Sequence, residues 1–166
     1  MPTPLRGRAE AMRLRAGVDR AFERYDRLQA DESELRADFA NYLCVSVAGF
    51  FEKALVALVV ELARQRSAPE VVSFVESHMN RFQNANSQRL AELLGSMSEE
   101  WRRKVETYLG QDGRGEALGS LVSLRHRIAH GDPSTGSTYA RIKDYYDKIL
   151  EVVDFVADLL LPRTPR

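Results

Sequence analysis

The sequence predicts an all-α fold, and two observations lead to that prediction. Apolar residues recur with helical spacing along nearly the whole chain, and the strict alternation typical of strands is almost absent. The pattern indicates a bundle of four long helices, with an insert of shorter helices between the second and the third. Because there is no internal repeat and no long linker, we expect a single domain over residues 1–166, with its core at about residues 8–161.

The first two long helices are predicted at about residues 8–30 and 33–66. The inner residues expected for the first are Met12, Leu14, Val18, Phe22, Tyr25 and Leu28. The second is apolar on nearly every side, which is typical of a central, buried helix. Its clearly polar side chains between residues 42 and 60 are Ser46, Glu52 and Lys53.

Short helices are predicted at about residues 69–80, 87–94 and 98–109. Pro69 suits the first turn of one of them, and Ser98 suits the cap of another. A set of glycines follows, namely Gly110, Gly113 and Gly115, and these should break the chain.

The last two long helices are predicted at about residues 116–129 and 137–161. Gly131 should stop the first of these, an exposed loop should follow at residues 132–137, and Pro162 should end the second.

Composition excludes several classes of protein. The chain has 24 basic and 24 acidic residues, so a contact with RNA would have to be a local patch. Cys44 is the one cysteine, which excludes an intrachain disulfide and fits a buried core position in a reducing compartment. The longest apolar run, residues 54–60, is too short to cross a bilayer, and the first residues lack a secretory signal. We therefore expect a cytoplasmic protein that does not bind membranes.

Arg125 is the most informative residue of the chain. On a helix it falls within an apolar stripe formed by Leu118, Leu121, Val122 and Ile128. A guanidinium keeps its charge, so at such a position it needs an anionic partner or a phosphate. Arg127 is expected on the opposite, solvated side of the same helix.

His130 lies five residues beyond Arg125, which separates their directions on a helix by about 140°. The two side chains can converge only if the chain bends near Gly131 or if a second subunit supplies one of them. A simpler interpretation also stands: Arg125, His126 and Arg127 complement the negative end of the helix dipole.

The segment Leu124-Arg125-His126-Arg127-Ile128-Ala129-His130-Gly131 resembles the motif of HEPN domains, in which an arginine is followed by a polar residue and, a few positions on, by a histidine. Upstream segments are similar to the branch called RiboL-PSP-HEPN. These are Tyr42-Leu43, Gly49-Phe50-Phe51-Glu52, Phe82-Gln83-Asn84-Ala85-Asn86, and Leu93-Leu94-Gly95 with Trp101.

The resemblance implies a metal-independent endoribonuclease that needs no cofactor and acts as a homodimer with a shared cleft. Arg125 and His130 match the catalytic residues of that family, and His126 occupies the polar position after the arginine. An arginine suits the charge of the transition state, and a histidine can accept the proton of the ribose 2′-OH. The resemblance also implies a toxin or a defence effector, which an antitoxin or another partner protein would restrain.

Three supporting residues are candidates. Glu52 is predicted either to pair with Arg125 or to join a surface ladder with Lys53 or Arg64. Asn84 and Asn86 are predicted first as a turn or cap, and alternatively as residues lining an RNA cleft. The sequence has no paired Cys/His spacing for zinc, and isolated His78 is expected at the surface.

Two other functions compete with cleavage. The first is a non-catalytic HEPN module that binds RNA, a nucleotide or a partner protein through the same cleft. The second is a structural helical dimer in which Arg125 closes an ion pair across the interface.

Overall fold

The computed structural model describes residues 6–28, 33–132 and 138–163, and these contain helices without strands. The helices are α1 (Arg6–Asp26), α2 (Ser33–Arg66), α3 (Pro69–Met79), α4 (Ser87–Met97), α5 (Glu99–Leu109), α6 (Arg114–Ala129) and α7 (Tyr139–Leu160). The long helices α1, α2, α6 and α7 form the bundle, and α3 to α5 form the insert. The predicted all-α class and the order of long and short helices are confirmed.

Helix α2 lies at the centre of the molecule, as its composition predicts. It packs against α1, α3, α6 and α7. Leu43, Val47, Leu55 and Leu58 are fully or almost fully buried along it, and they join a core to which every helix contributes. This arrangement carries the polar side chains of α2, Glu52 among them, into the middle of the bundle.

By length and composition alone, α2 could also cross a membrane, since an 18-residue window of it has a mean hydropathy of 2.1. The sequence argument from residues 54–60 considered only uninterrupted apolar runs and therefore missed this property. Two thirds of the window (67%) is buried inside the protein. That burial is typical of the core helix of a soluble-type helical domain, where neighbouring helices take the place of lipid.

Helix α1 corrects one predicted core residue. Val18 and Phe22 are buried as expected, whereas the side chain of Met12 is 71% exposed. The buried residue is Ala11, which lies 100° away on the helix and one turn before the half-buried Leu14. The helix also ends at Asp26, earlier than predicted, and residues 29–30 of the predicted span lie outside the described part of the chain.

The insert is held by caps that its sequence predicts. The side chain of Ser98 accepts the backbone N–H of Trp101, and that of Asn86 accepts the backbone N–H of Arg89. Pro69 opens α3 in its first turn. Helix α4 runs three residues further than predicted and packs against α5, so the insert is a packed pair of helices preceded by α3.

Helix α7 closes the bundle against α2 and α6. Its largest fully buried side chain, Tyr146, stacks on Phe22 of α1 with ring centroids 4.9 Å apart. The Tyr146 hydroxyl donates to the Asp19 carboxylate at 2.6 Å, which satisfies the polar end of a buried ring. These two contacts join α1 to α7, while α1 also packs against α2.

Cys44 gives the core a dependence on alkaline pH. Burial raises the pKa of its thiol from 9.0 to about 11. Because the folded pKa is the higher one, the stabilising contribution is complete below pH 9 and is lost as the pH rises towards 11. In urea titrations we expect the advantage of the wild type over Cys44→Ala to shrink by about 1 kcal/mol between pH 7 and pH 10.

The tyrosines, which also resist ionisation in the fold, are present in both proteins and serve as the internal control. Parallel stability curves for the two proteins would mean that the thiol titrates as freely in the folded state as in the unfolded chain.

Candidate active site

Helix α6 ends where the sequence predicts, in a hydrogen-bonded turn. Gly131 has a φ of +69°, its N–H donates to the carbonyl of Ile128, and the N–H of Asp132 donates to the carbonyl of Arg127, both at 3.1 Å. This is the Schellman arrangement, for which glycine is suited because it lacks a Cβ. It places His130 at the C-cap. Of the predicted loop at residues 132–137, only Asp132 lies within the described residues.

Arg125 forms an ion pair with Glu52 of α2, and Nη1 lies 2.7 Å from Oε1. The two side chains are 29% and 12% exposed. The predicted pairing of Glu52 with Arg125 is therefore present. The alternative surface ladder with Lys53 or Arg64 is not present. Glu52 is buried, Lys53 forms no salt bridge with the described residues, and Arg64 bonds Glu76 at 3.2 Å. One edge of the Arg125 guanidinium is fixed in the bundle while part of the side chain still reaches solvent.

The same Glu52 oxygen accepts a second hydrogen bond, from the backbone N–H of Asn84 at 2.7 Å. Asn84 has a φ of +55°, a left-handed conformation that asparagine tolerates better than most residues. The N–H of Asn86 then donates to the carbonyl of Asn84 at 2.8 Å, and Asn86 caps α4. The prediction of a turn and cap is confirmed. Asn84 contributes its backbone N–H to the site. A role of the Asn84 or Asn86 side chain in an RNA cleft stays a prediction.

His126 and His130 form an exposed pair one turn apart on α6. Their ring centroids lie 4.3 Å apart, with the rings tilted by 65°. Since Arg125 points inward to α2, the described residues form two separate sets: Arg125 with Glu52 and Asn84, and the two histidines. No hydrogen bond joins Arg125 to His130 within the chain as described.

The helical projection predicts that Arg127 lies on the solvated side, and the structure differs. Its Nε atom is shielded from solvent and has no hydrogen-bond partner among the described residues. The charges of Arg125 and Arg127 both act on the buried Cys44 thiol, lowering its pKa against the larger effect of burial. The projection was wrong because it gives only a direction from the helix axis. It does not show which polar atoms of α6 are covered when this helix packs against α2 and α7.

A groove of 460 Å³ lies along α1 and α2 and reaches Arg125; we call it the seam groove. The residues that define it here are Gly17, Tyr42, Val45, Gly49, Lys53 and Arg125. The sequence analysis did not predict Tyr42, Val45 and Lys53 as site residues. In a helix that is apolar all round, no pattern distinguishes the few apolar side chains that face solvent from those in the core.

Within the described residues, no group of three or more His, Cys, Asp or Glu side chains is close enough to hold a metal ion. His78 is exposed at the end of α3 and stacks on Phe74 at 6.2 Å. It lies on a different helix from the other two histidines and serves below as a control.

Comparison with known proteins gives one match. A family model described as RiboL-PSP-HEPN matches residues 19–161, which is most of the chain. No curated protein and no solved structure matches the chain.

The Glu52–Arg125 pair should be a major local source of stability. Glu52→Gln keeps the shape but removes the negative charge, which leaves the half-buried Arg125 without a counter-charge. We expect the free energy of unfolding to fall by about 1–3 kcal/mol. Urea titration at neutral pH measures the change.

Glu106→Gln is the matched control, because Glu106 pairs with Arg102 at 3.2 Å with roughly half of each side chain exposed. There the expected loss is about 0.5 kcal/mol or less. Equal losses for the two variants would contradict a special role for the Glu52–Arg125 pair.

Proposed function

The chain belongs to the RiboL-PSP-HEPN family, and on that premise we propose that it is a metal-independent endoribonuclease that cleaves single-stranded RNA by attack of a ribose 2′-OH on the neighbouring phosphate. The family supports, at the coarser level, an RNase-like or nucleotide-related module. The finer assignment depends on Arg125 and on the histidines at the end of α6.

The observation that carries the proposal is the hydrogen bonding of Arg125, which Glu52 satisfies only in part. Glu52 accepts from one of its nitrogens, and a guanidinium has five N–H donors, so donors remain for a phosphate. The contact also fixes the orientation of the Arg125 guanidinium before RNA binds. A preorganised cation stabilises the charge of a pentacoordinate phosphate without a reorganisation cost during the reaction.

His130 is the proposed base. A neutral imidazole nitrogen accepts the 2′-OH proton, and the 2′-oxygen forms a bond to phosphorus. The bond from phosphorus to the 5′-oxygen then breaks, and that oxygen takes up a proton from solvent or from the imidazolium. The products are a 2′,3′-cyclic phosphate and a 5′-hydroxyl. His126 supports His130 through the ring contact between them.

A homodimer completes this site. On an ideal helix Arg125 and His130 point about 140° apart. In the described chain Arg125 bonds Glu52 of α2, and no hydrogen bond joins it to His130. A twofold dimer that brings the two α6 ends together would place Arg125 of one protomer opposite His130 of its partner. RNA would then bind in the cleft between the protomers.

The biological role that we propose is that of a toxin or defence effector in the cytoplasm. Cleavage of RNA by such a site would harm the cell, so an antitoxin or other partner protein that covers the α6 end would be needed as a restraint. This part of the proposal depends on the family alone.

A non-catalytic HEPN module that binds RNA, a nucleotide or a protein is the second candidate. The observation in its favour is that Glu52 already neutralises Arg125, so the ion pair could serve only to hold α2 and α6 together. A structural dimer without any ligand is the third.

Cleavage of RNA in the presence of EDTA distinguishes these functions. We expect the wild-type protein to cleave single-stranded RNA under these conditions, and Arg125→Ala and His130→Ala each to lower the rate by about 100-fold or more. The control His78→Ala, a histidine outside the site, should cleave like the wild type. RNA binding without cleavage by the wild type would favour the non-catalytic module, and loss of the dimer in Arg125→Ala would favour the structural role.

Mixing the two inactive variants tests whether the site is shared. Random association of the two variants makes half of the dimers mixed. If Arg125 and His130 act across the interface, each mixed dimer has one site with both residues and one site with neither. The mixture should then recover about a quarter of the wild-type rate. No recovery, with subunit exchange verified by mass, would place both residues of a working site in one protomer.

A further inference from the structure

We infer that the seam groove holds unpaired nucleotides of the RNA, with Tyr42 as the stacking surface for one base and Lys53 as a contact for a phosphate further along the strand. The inference rests on the proposed function, because Arg125 at the edge of the groove is the proposed site of the reacting phosphate.

Tyr42 is exposed on a helix that is otherwise the core of the protein. Its residue surface is 51% accessible, and Val45, one turn further on, is 41% accessible. The Tyr42 ring packs edge-on against Phe39, with centroids 5.5 Å apart, and this contact limits its motion. An exposed aromatic ring held in place by a neighbour is the kind of surface on which a nucleobase stacks.

The floor of the groove is open because two glycines face it. A Cβ at Gly49 would meet no atom within 4 Å, and one at Gly17 would meet only the Arg20 guanidinium, at 3.9 Å. Packing within the protein therefore does not require glycine at either position. The absent side chains instead leave depth in the 460 Å³ groove, which a flat base can occupy.

The groove is apolar at one end and charged at the other, which fits a short single strand with a base at one end and a phosphate further along the backbone. From Tyr42 to Lys53, α2 rises by about 16 Å, and the lining changes from an aromatic and an aliphatic side chain to Lys53 and the Glu52–Arg125 ion pair, which together carry a net positive charge. Lys53 is exposed and forms no salt bridge with the residues that the structure describes. It also lines a neighbouring hollow of 680 Å³ that contains Arg6 and the ion pairs Arg13–Glu10 and Arg64–Glu76.

This pattern favours a single strand over the alternatives. Double-stranded RNA hides the faces of its bases, so it could not use Tyr42. An amphipathic helix of a partner protein needs apolar contacts along its whole length, whereas this groove ends on Lys53 and the Glu52–Arg125 ion pair. A base stacked on Tyr42 and a phosphate of a neighbouring nucleotide on Lys53 match the two ends of the groove.

Binding of an RNA that cannot be cleaved tests the inference. The probe is a fluorescein-labelled single strand of about ten nucleotides with 2′-O-methyl ribose throughout, and the full-length protein is titrated by fluorescence anisotropy. We expect Tyr42→Ala to raise the Kd about tenfold, whereas Tyr42→Phe, which keeps the ring, stays within about twofold of the wild type. Phe74→Ala is the control, because Phe74 on α3 is 71% exposed and lies outside the groove.

The salt dependence separates the two roles. Lys53→Gln should lower the slope of log Kd against log salt by about 0.7, the value for one phosphate contact on a single strand, and Tyr42→Ala should leave the slope unchanged. Equal Kd values for Tyr42→Ala and the wild type, or for the probe and its duplex, would overturn the inference. So would dissociation of a dimer by Tyr42→Ala in sedimentation, which would make the groove a subunit interface.

Failure of this inference differs from failure of the proposed function. Tyr42-dependent binding of the probe by a protein that does not cleave unmodified RNA would support the groove and overturn the nuclease. Cleavage by a protein whose binding does not depend on Tyr42 would support the nuclease and overturn the groove.

Discussion

One carboxylate connects three parts of this protein. Glu52 of α2 accepts the Arg125 guanidinium of α6 and the backbone N–H of Asn84, each at 2.7 Å. A charge at this depth is stable only if it is paired and hydrogen-bonded, so the central helix, the helix that carries the histidines and the turn before α4 are each fixed relative to the others. The unusual arginine is thereby held in one direction.

That constraint explains how a helical bundle can present a reactive surface. The core of α2 supplies rigidity, and the Schellman turn at Gly131 ends α6 just where His126 and His130 reach solvent. The cation and the imidazoles lie on different sides of one helix. A second protomer is the simplest way to bring them to one phosphate, which is why the proposed nuclease needs a dimer.

Much of the fold is predictable because strong local signals coincide with it. The bounds of α2 are those that the sequence predicts, and Ser98, Asn86 and Gly131 cap helices by the mechanisms that their side chains favour. The pairing of Glu52 with Arg125 follows from the rule that a charge on an apolar face needs a partner.

The errors have physical causes of their own. Met12 and Arg127 were misplaced because a helical projection gives directions but not the positions of neighbouring helices. The exposure of Tyr42 depends on where α1 crosses α2, which periodicity along one chain does not encode.

In the proposed reaction the ribose 2′-OH, and not water, attacks the phosphate. A DNA strand that contains a single ribonucleotide tests it directly, with EDTA present and the fragments identified by mass. We predict one cut, on the 3′ side of the ribonucleotide, leaving a 2′,3′-cyclic phosphate on one fragment and a 5′-hydroxyl on the other. Cuts at deoxyribonucleotides, or fragments that carry a 5′-phosphate, would contradict the account.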